Sequence, residues 1–437
     1  MRQRKKPYRW RAIVGLGAAL ALVAAACGGE KTLDEFSPGP LGGVLYGADE
    51  PVEIRTLQAI SGDVAFLGVD QVRGTELAIE DYTAAFGGIK GHSINLGTPE
   101  DDLCSSEGGT SGANAIAAQE GVLAVIGTTC SGAGVPASQI LSQAGIVLFS
   151  GSNTSPALTS DLQGTAGTAW QQGYYRTAHN DLIQGAAAAA FALEDLGWQS
   201  AVMIHDGDPY TEGLANSFAA AFEGMGGSVP LITAVNKGDT DMVPILTDAA
   251  AHSPDGIYFP IFQPEGDFIL QQYTGVAGLE NVQMFGADGL ITPDHFSRIE
   301  SEGVYYSGPD LGFEGNTGFT GETYTNLRSR YTATYGEEPT AVFHAHTYDA
   351  TMIVLATIDA VAVEDGDLLF VDKQALRDAL YTTSNFSGVT GTLACDDWGD
   401  CGGNVVSVVL NADASNPDTG IANVVFRYGA AGEIPLG

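Results

Sequence analysis

The segment VLAVIGTTCSGAGVP, residues 122–136, carries the pattern that decides the fold. Val122–Thr128 is a short apolar run of the kind that forms a strand buried on both faces. Small and polar residues follow it, and Pro136 then stands where the first turn of a helix is expected. A buried strand that leads through a glycine-containing turn into a helix predicts a βα unit of a parallel sheet.

The same alternation of strand and helix patterns continues on both sides of this segment. The other candidate strands are short apolar runs: Glu53–Ile60, Ser93–Gly97, Ile146–Ser150, Ser200–His205, Gly256–Ile261, Val282–Phe285 and Val304–Ser307. Between them, helical spacing occurs at Leu77, Ala78, Tyr82 and Ala85 and in the alanine-rich segment Ala186–Leu193. The pattern predicts an α/β fold of parallel sheets flanked by helices. About 390 residues from position 51 onward are too many for one core, so two lobes are expected.

The first 26 residues have the pattern of an export signal. Six basic residues precede the apolar run Ala12–Ala26, which is too short to span a bilayer as a stable helix. Small residues then lead to Cys27, and this arrangement resembles a bacterial lipobox, so we expect lipid attachment at Cys27. Simple secretion and a single membrane anchor are the alternatives. Residues 27–50, rich in Gly and Pro, are expected to form a flexible tether.

The charge balance excludes one large class of partner. The chain has 18 basic and 53 acidic residues, and the six basic residues of the signal leave 12 against 53, a net charge of −41. Nucleic acid binding needs clusters of Lys and Arg and is therefore excluded. An acidic surface keeps a protein in solution but does not identify its ligand.

The five cysteines fit an oxidising compartment outside the cytoplasm. With Cys27 assigned to lipid, four remain, and we pair Cys104 with Cys130 and Cys395 with Cys401. Four free thiols are the alternative, which such a compartment disfavours.

Candidate binding residues follow the predicted strands, because ligands of open α/β sheets bind at the carboxyl ends of strands. Ser131 follows the strand at 122–128 and stands at a helix start, where free N–H groups favour an anion. Residues 151–156 are small and polar, and Asp288 follows the strand at 282–285. A plain serine N-cap, an ordinary polar loop and an Asx turn are the structural alternatives. Together, donors on one lobe and a carboxylate on the other are what a free α-amino acid requires.

The order and spacing of seven short motifs resemble the branched-chain amino acid (Leu/Ile/Val) binding proteins of the type I periplasmic-binding fold. The resemblance extends from about Val52 to about Val425 and rests on these segments: 60–62, 87–91, 101–104, 126–131, 155–159, 175–177 and 348–350. It implies two α/β lobes joined by three crossover strands. Lobe 1 would comprise 51–176 and 307–389, and lobe 2 would comprise 177–306 and 390–437. It also implies the Cys104–Cys130 disulfide, which the family shares.

The resemblance also implies a role for each residue that matches the family's motif. By position, Ser131 and Thr154 would bind the α-carboxylate, and the backbone carbonyl of Asn153 and the carboxylate of Asp288 would bind the ammonium. The residues expected to enclose the ligand are aromatic: Tyr210, Phe66 and Phe343. The chain departs from the family in having Thr211 where the family has glycine, Asp288 where glutamate is frequent, and an additional cysteine pair, Cys395 and Cys401.

The function implied is capture of an aliphatic amino acid outside the cytoplasm by hinge closure, for import through an ABC permease and its ATPase subunits. A short amide or urea as ligand, and a sensory role at a membrane receptor, are alternatives; Asp288 argues against an uncharged ligand. No serine has the flanking glycines of a nucleophile elbow, and no phosphate-binding loop occurs, so no enzyme is predicted. We expect no cofactor, and no metal at His344 and His346 or at the weakly calcium-like Asp206, Asp208 and Glu212.

Overall fold

The alternation of strands and helices is present in the structure, a computed structural model that describes residues 32–403 and 405–436. The predicted signal, 1–26, and Cys27 lie outside these residues. Pro38–Gly437 form one compact unit, and the described part of the other unit, Met1–Ser37, contains the short 3-10 turn Leu33–Phe36.

The strands and helices of the described residues have the following bounds. The strands are β1 Gly43–Tyr46, β2 Val52–Gln58, β3 Ile94–Asn95, β4 Glu100–Asp101, β5 Val122–Gly127, β6 Val147–Ser150, β7 Tyr174–Arg176, β8 Ser200–His205, β9 Ser228–Ala234, β10 Gly256–Tyr258, β11 Gln283–Ala287, β12 Tyr305–Pro309, β13 Val363–Asp365, β14 Leu368–Asp372, β15 Phe386–Gly388, β16 Gly391–Leu393, β17 Val405–Leu410, β18 Val424–Gly429 and β19 Gly432–Glu433. The α-helices are α1 Ala65–Phe86, α2 Ser106–Ala117, α3 Ser131–Gln143, α4 Asp181–Ala190, α5 Pro209–Gly224, α6 Val243–Ala251, α7 Glu265–Gln272, α8 Pro293–Phe296, α9 Tyr324–Tyr335, α10 His344–Val361, α11 Lys373–Tyr381 and α12 Pro417–Ala422.

The first lobe is built on a parallel sheet in the order β3-β2-β5-β6-β7, with β4 also paired to β2. Its central strand β5 is buried along its whole length. Ala124 and Ile126 face a core that includes α1, α9 and α10, whereas Val122 and Val125 face a second core with α2 and α3. Because helices cover both faces, this strand needs apolar residues at every position, which is the pattern that the sequence shows.

The second lobe has a larger sheet in the order β19-β18-β17-β12-β11-β10-β8-β9. From β9 to β12 the strands are parallel, as predicted, but β17, β18 and β19 add on antiparallel. A two-residue turn joins β18 to β19, as antiparallel neighbours allow, whereas the connection from β17 to β18 runs through α12. The prediction of an α/β fold with two lobes, each on a sheet flanked by helices, is confirmed.

The structure differs from the sequence-based expectation in the segment 27–50, which was expected to be a flexible tether. Its residues Gly43–Tyr46 form β1, which pairs antiparallel with β14 in a small sheet with β13. The Tyr46 side chain is buried, and its hydroxyl donates a hydrogen bond of 2.6 Å to the carbonyl of Gly121. Four residues are too few for a detectable period, so only the distant partner β14 reveals this strand.

The chain passes between the two lobes three times: after β7, after β12 and between β16 and β17. At the first crossing the Thr177 hydroxyl donates to the carbonyl of His346 at 2.7 Å. At the third crossing lies the Cys395–Cys401 disulfide, which closes a tight loop beside Arg176. The structure also forms the Cys104–Cys130 disulfide, so both predicted bridges are present.

Among residues 32–403 and 405–436, no helix has the length and apolar character needed to cross a membrane.

Candidate ligand-binding cleft

A small cleft lies between the two lobes at the carboxyl ends of the strands. Lobe 1 supplies one wall, which includes Thr129, Ser131 and Phe343, and lobe 2 supplies the other, which includes Tyr210 and Asp288. Four of the seven predicted ligand residues therefore line one cavity. Its volume of about 20 Å³ is room for about one or two water molecules, so the lobes lie close together around it.

Ser131 is the first residue of α3, directly after β5 and its polar turn. The N-cap position is held by Cys130, whose sulfur is in the disulfide and which makes no side-chain capping bond. The first-turn N–H groups of a helix have no partners within the helix. The Ser131 hydroxyl accepts a 3.3 Å hydrogen bond from the backbone N–H of Ser155. This serine therefore joins the helix start to the loop after β6 and does not act as a simple cap.

The loop after β6 is held in shape by its own polar groups. The Ser150 hydroxyl accepts hydrogen bonds from the backbone N–H groups of Ser152 and Asn153, at 3.1 and 2.9 Å. The Asn153 amide donates to the carbonyls of Thr128 and Thr129 at 2.8 and 3.0 Å. Asn153 and Thr154, both predicted as ligand contacts, are buried but do not line the cavity, whereas Ser152 does. The side chain of Asn153 therefore stabilises the loop, and its backbone carbonyl is the group predicted to bind a ligand.

That carbonyl already accepts one hydrogen bond, from Arg176. The fully buried guanidinium of Arg176 donates to the Asn153 carbonyl at 3.1 Å, to the Ser155 carbonyl at 2.8 Å and to the Thr159 hydroxyl at 2.6 Å. It also forms an ion pair with Asp400. A carbonyl oxygen has two lone pairs, so one remains for a ligand. No role was predicted for Arg176; an arginine directly after two tyrosines, in the motif 175–177, was the available signal.

Asp288 is the buried acid of the opposite wall. It follows β11 directly, and its Oδ1 atom accepts hydrogen bonds from the Gln184 amide at 2.6 Å and the Tyr210 hydroxyl at 3.0 Å. Within residues 32–403 and 405–436 no Lys, Arg or His forms an ion pair with it. Burial raises the pKa of Asp288, and the nearby His179 and the two hydrogen bonds oppose that rise. The cleft therefore holds a carboxyl group that lacks a cationic partner.

A second buried acid, Asp181, lies close to Asp288 and was missed by sequence analysis. It is the first residue of α4, it is fully buried, and both of its carboxylate oxygens lack a hydrogen-bond partner. Burial raises the pKa of Asp181 well above its ordinary value, and the charge of Asp288 adds to the rise. The available signal was the Asn180-Asp181 pair, which begins four residues after the last residue of β7 and starts a helix.

The aromatic residues occupy three different positions. Tyr210 is buried, and its ring lies 5.2 Å from that of Phe262, another residue of the cleft. Phe343 lines the cleft and stacks on His179 at 6.2 Å. Phe66 does not line the cavity; it is partly buried against an apolar cluster to which both lobes contribute, and its neighbour Leu67 faces the cleft.

Two charged residues of lobe 2 contact lobe 1 at the edge of the cleft. The Lys237 ammonium donates to the carbonyl of Cys104 at 3.1 Å and lies 3.5 Å from Asp208 Oδ2. Gly132 approaches the Asp208 carboxylate so closely that a Cβ atom there would collide with it. Burial raises the pKa of Asp208, whereas the positive charge of Lys237 opposes the rise. These contacts require the lobes to be close together.

Clusters of three or more His, Cys, Asp or Glu side chains that could hold a metal ion do not occur in the described ranges.

Comparison with known proteins assigns the family. The model of the family described as "Periplasmic binding protein" matches residues 51–406. The Leu/Ile/Val-binding protein of Escherichia coli K12 is 29% identical over 265 residues, which cover 60% of this chain and 68% of that protein. The Leu/Ile/Val-binding protein homolog 3 of Brucella melitensis is 25% identical over 368 residues, which cover 82% and 90%.

Solved structures share this fold. The crystal structure of a leucine-binding protein from Thermotoga maritima has a TM-score of 0.70 and 25% identity, and covers 83% of this chain and 96% of its own. The structure of a branched-chain amino acid transporter substrate-binding protein from Streptococcus pneumoniae, in complex with isoleucine, has a TM-score of 0.68 and 23% identity, and covers 83% and 97%. The proteins named above are described as binding proteins for leucine, for leucine, isoleucine and valine, or for branched-chain amino acids. The chain belongs to the periplasmic binding protein family, whose model matches residues 51–406.

Proposed function

We propose that this protein binds a free α-amino acid with an aliphatic side chain between its lobes and delivers it to an ABC importer. The observation that carries the proposal is the polarity of the cleft. The start of α3 at Ser131 forms one wall, and the unpaired carboxyl group of Asp288 forms the other. A zwitterion places its carboxylate at the first wall and its ammonium at the second, and both of its charges are then paired after water is excluded.

The amino acid side chain would extend between Leu67, Phe262 and Phe343, which are the apolar residues of the cleft. This lining favours an amino acid with an aliphatic side chain over one with a charged side chain. Because residues of both lobes contact the ligand, its binding would favour the closed arrangement over an open one. An uncharged amide or urea would leave Asp288 without a cation, so an amino acid is the better match. The permease and ATPase subunits follow from the family and not from a residue of this chain.

The experiment that tests the ligand class is a thermal-shift screen of the purified protein against the common amino acids, short amides and urea. We expect the largest rise in melting temperature with leucine, isoleucine or valine, because a ligand that binds only the folded state stabilises it by mass action. A larger rise with an amide or urea than with any amino acid would contradict the proposal.

Lys237→Met tests whether closure of the lobes contributes to affinity. The change removes the ammonium that joins Asp208 to the Cys104 carbonyl. Lys237 is about half exposed, so we expect a modest loss, about 1 kcal/mol or about fivefold in the calorimetric Kd for leucine. Lys90→Met, which removes a surface ion pair with Asp359 remote from the cleft, is the matched control. Equal affinities of the two variants would mean that the Lys237 contact does not contribute.

The proposed lipid anchor is tested by Cys27→Ala. If Cys27 carries lipid, the variant loses its membrane attachment, because hydrophobic burial of the acyl chains is what holds such a protein on a membrane. Fractionation of cells into membrane and soluble parts measures this directly, with the wild-type protein as reference. A variant that stays in the membrane fraction would show that another feature anchors the chain.

A further inference from the structure

A short chain of hydrogen bonds connects Asp288 to a buried histidine, His179. This histidine lies at the first crossing between the lobes, between β7 and α4, and is 2% exposed. Its ring nitrogen Nε2 is within hydrogen-bond distance of the Gln184 Oε1 atom. The amide nitrogen of the same Gln184 donates to Asp288 Oδ1 at 2.6 Å. His179 is therefore connected to the carboxyl group of the cleft through a single amide.

The orientation of Gln184 determines which nitrogen of His179 carries the proton. The Gln184 amide nitrogen has three acceptors: Asp288 Oδ1, and the carbonyl and hydroxyl oxygens of Ser307 at 3.0 and 3.1 Å. The reverse orientation would place the amide oxygen against the Asp288 carboxylate and the Ser307 carbonyl, neither of which can donate. The Gln184 oxygen therefore points to His179, and an amide oxygen can only accept. Nε2 of His179 must then carry the proton.

The surroundings of His179 favour this neutral ring. Its Nδ1 atom is buried and has no hydrogen-bond partner among residues 32–403 and 405–436. Phe343, which lines the cleft, stacks on the ring with the centroids 6.2 Å apart. Burial lowers the pKa of His179, so the ring is uncharged and donates through Nε2 alone. The titratable and charged groups that face the ring are Asp288, Arg176, Asp400 and His346.

The hydrogen bond from His179 has a consequence for Asp288. A donor at an amide oxygen polarises the amide and strengthens donation by its N–H groups. Without that donor, the Gln184 oxygen would be a buried acceptor without a partner, and the amide would no longer be held against Asp288. We propose that His179 is a positioning residue for ligand binding, which holds the Gln184 amide as a donor to Asp288 and so keeps this carboxylate in place for the ligand ammonium. The role rests on the proposed function, in which Asp288 binds that ammonium.

The first measurement needs no ligand, so its result does not depend on the proposed function. A long-range nitrogen–proton correlation spectrum of the full chain, labelled with nitrogen-15, gives the tautomer of each histidine ring. His179→Gln assigns the His179 signals by their loss. We expect a neutral His179 ring at neutral pH with its proton on Nε2. A proton on Nδ1 in place of Nε2 would overturn the proposal, because Nε2 would then accept from Gln184 and the amide oxygen would face Asp288.

The second measurement is calorimetric titration of His179 variants with leucine. His179→Leu removes the donor, His179→Asn is too short to reach Gln184, and His179→Gln extends an amide N–H group to about the position of Nε2. We expect the Leu and Asn variants to bind about five- to tenfold more weakly than the wild type, and the Gln variant to bind within about twofold of it. His346→Leu is the control: it removes another buried ring that contacts Phe343, at 5.4 Å, but leaves the bond from His179 to Gln184 in place.

The effect of His179 should depend on Asp288. In an Asp288→Ala background, His179→Leu should cause no further loss of leucine affinity. In His179→Leu alone, affinity should be lost at a higher pH on acidification than in the wild type, because hydrogen-bond donation from Gln184 stabilises the ionised carboxylate.

The proposal is overturned if the wild type binds leucine and the Leu and Asn variants of His179 bind it equally well. It is also overturned if His179→Leu weakens binding as much with Ala at position 288 as with Asp. A wild-type protein that binds no amino acid would refute the proposed function, and this role of His179 with it, even where the tautomer is the expected one.

Discussion

Replacing Arg176 with methionine is expected to lower the free energy of unfolding by about 3–5 kcal/mol, the cost of breaking one half of a buried ion pair. The guanidinium donates to the carbonyls of Asn153 and Ser155 and to the Thr159 hydroxyl, and it pairs with Asp400. Methionine fills similar space but removes these donors, so the Asn153 carbonyl and the Thr159 hydroxyl lose their donor and Asp400 loses its cation. The midpoint of urea denaturation, followed by far-UV circular dichroism, measures the loss.

Two further variants show whether the loss of stability is specific to the Arg176 guanidinium. Arg176→Lys keeps the charge but cannot reproduce the fork of donors, so we expect a loss between those of the wild type and the methionine variant. Lys90→Met removes an exposed ion pair and should cost less than about 1 kcal/mol. If Arg176→Met unfolds at the same urea concentration as Lys90→Met, then Arg176 does not hold the loop at 153–159.

Replacing Asp288 with alanine is expected to weaken amino acid binding by about 2–5 kcal/mol, which is roughly 30-fold or more in Kd. The ligand ammonium would lose its carboxylate partner, and the hydrogen-bond donors of Gln184 and Tyr210 would lose their acceptor. Asp288→Asn separates the two effects, since it keeps an oxygen acceptor and removes only the charge. An unchanged calorimetric affinity for leucine in both variants would exclude Asp288 from the site.

The same carboxylate predicts how affinity depends on pH. The ammonium binds the ionised form, and burial raises the pKa of Asp288, so affinity should fall on acidification sooner than it would for an ordinary aspartate. The titratable groups that face Asp288 are His179, Asp181, Tyr210 and Tyr258. Burial lowers the pKa of His179 and raises those of the other three, so the uncharged form of each is favoured. In Asp288→Asn, most of the loss of affinity at acidic pH should disappear. If the variant still loses affinity on acidification as the wild type does, another titratable group causes the loss.

The fold was readable from the sequence wherever burial imposes a strict pattern. β5 is apolar at every position because helices cover both faces of its sheet, and this is visible in the residues alone. β1 and the antiparallel strands β17 to β19 were not predicted, because their pairing depends on partners that are distant in the chain or on turns that a single sequence does not identify. The second crossing follows β12, which overlaps the predicted strand Val304–Ser307, whereas β7, which precedes the first crossing, was not among the predicted strands.

The residues of the candidate site could be predicted from the sequence where they follow predicted strands or match the family's motifs. Ser131, Tyr210, Asp288 and Phe343 line one cleft, and their roles as ligand contacts stay predictions. The buried groups behind them left only weak signals in the sequence, because Arg176 and Asp181 act through contacts that join segments far apart in the chain. Burial and pairing are properties of the assembled structure, and a single sequence carries only weak traces of either.

The central claim is that the cleft binds an α-amino acid through both of its charges. Calorimetric titration of the wild-type protein with leucine, and with two analogues that each lack one charge, tests it most directly. Isopentylamine lacks the carboxylate and 4-methylpentanoate lacks the ammonium. We predict tight binding of leucine and a loss of at least about tenfold for each analogue. Equal affinity of leucine and either analogue would contradict the account.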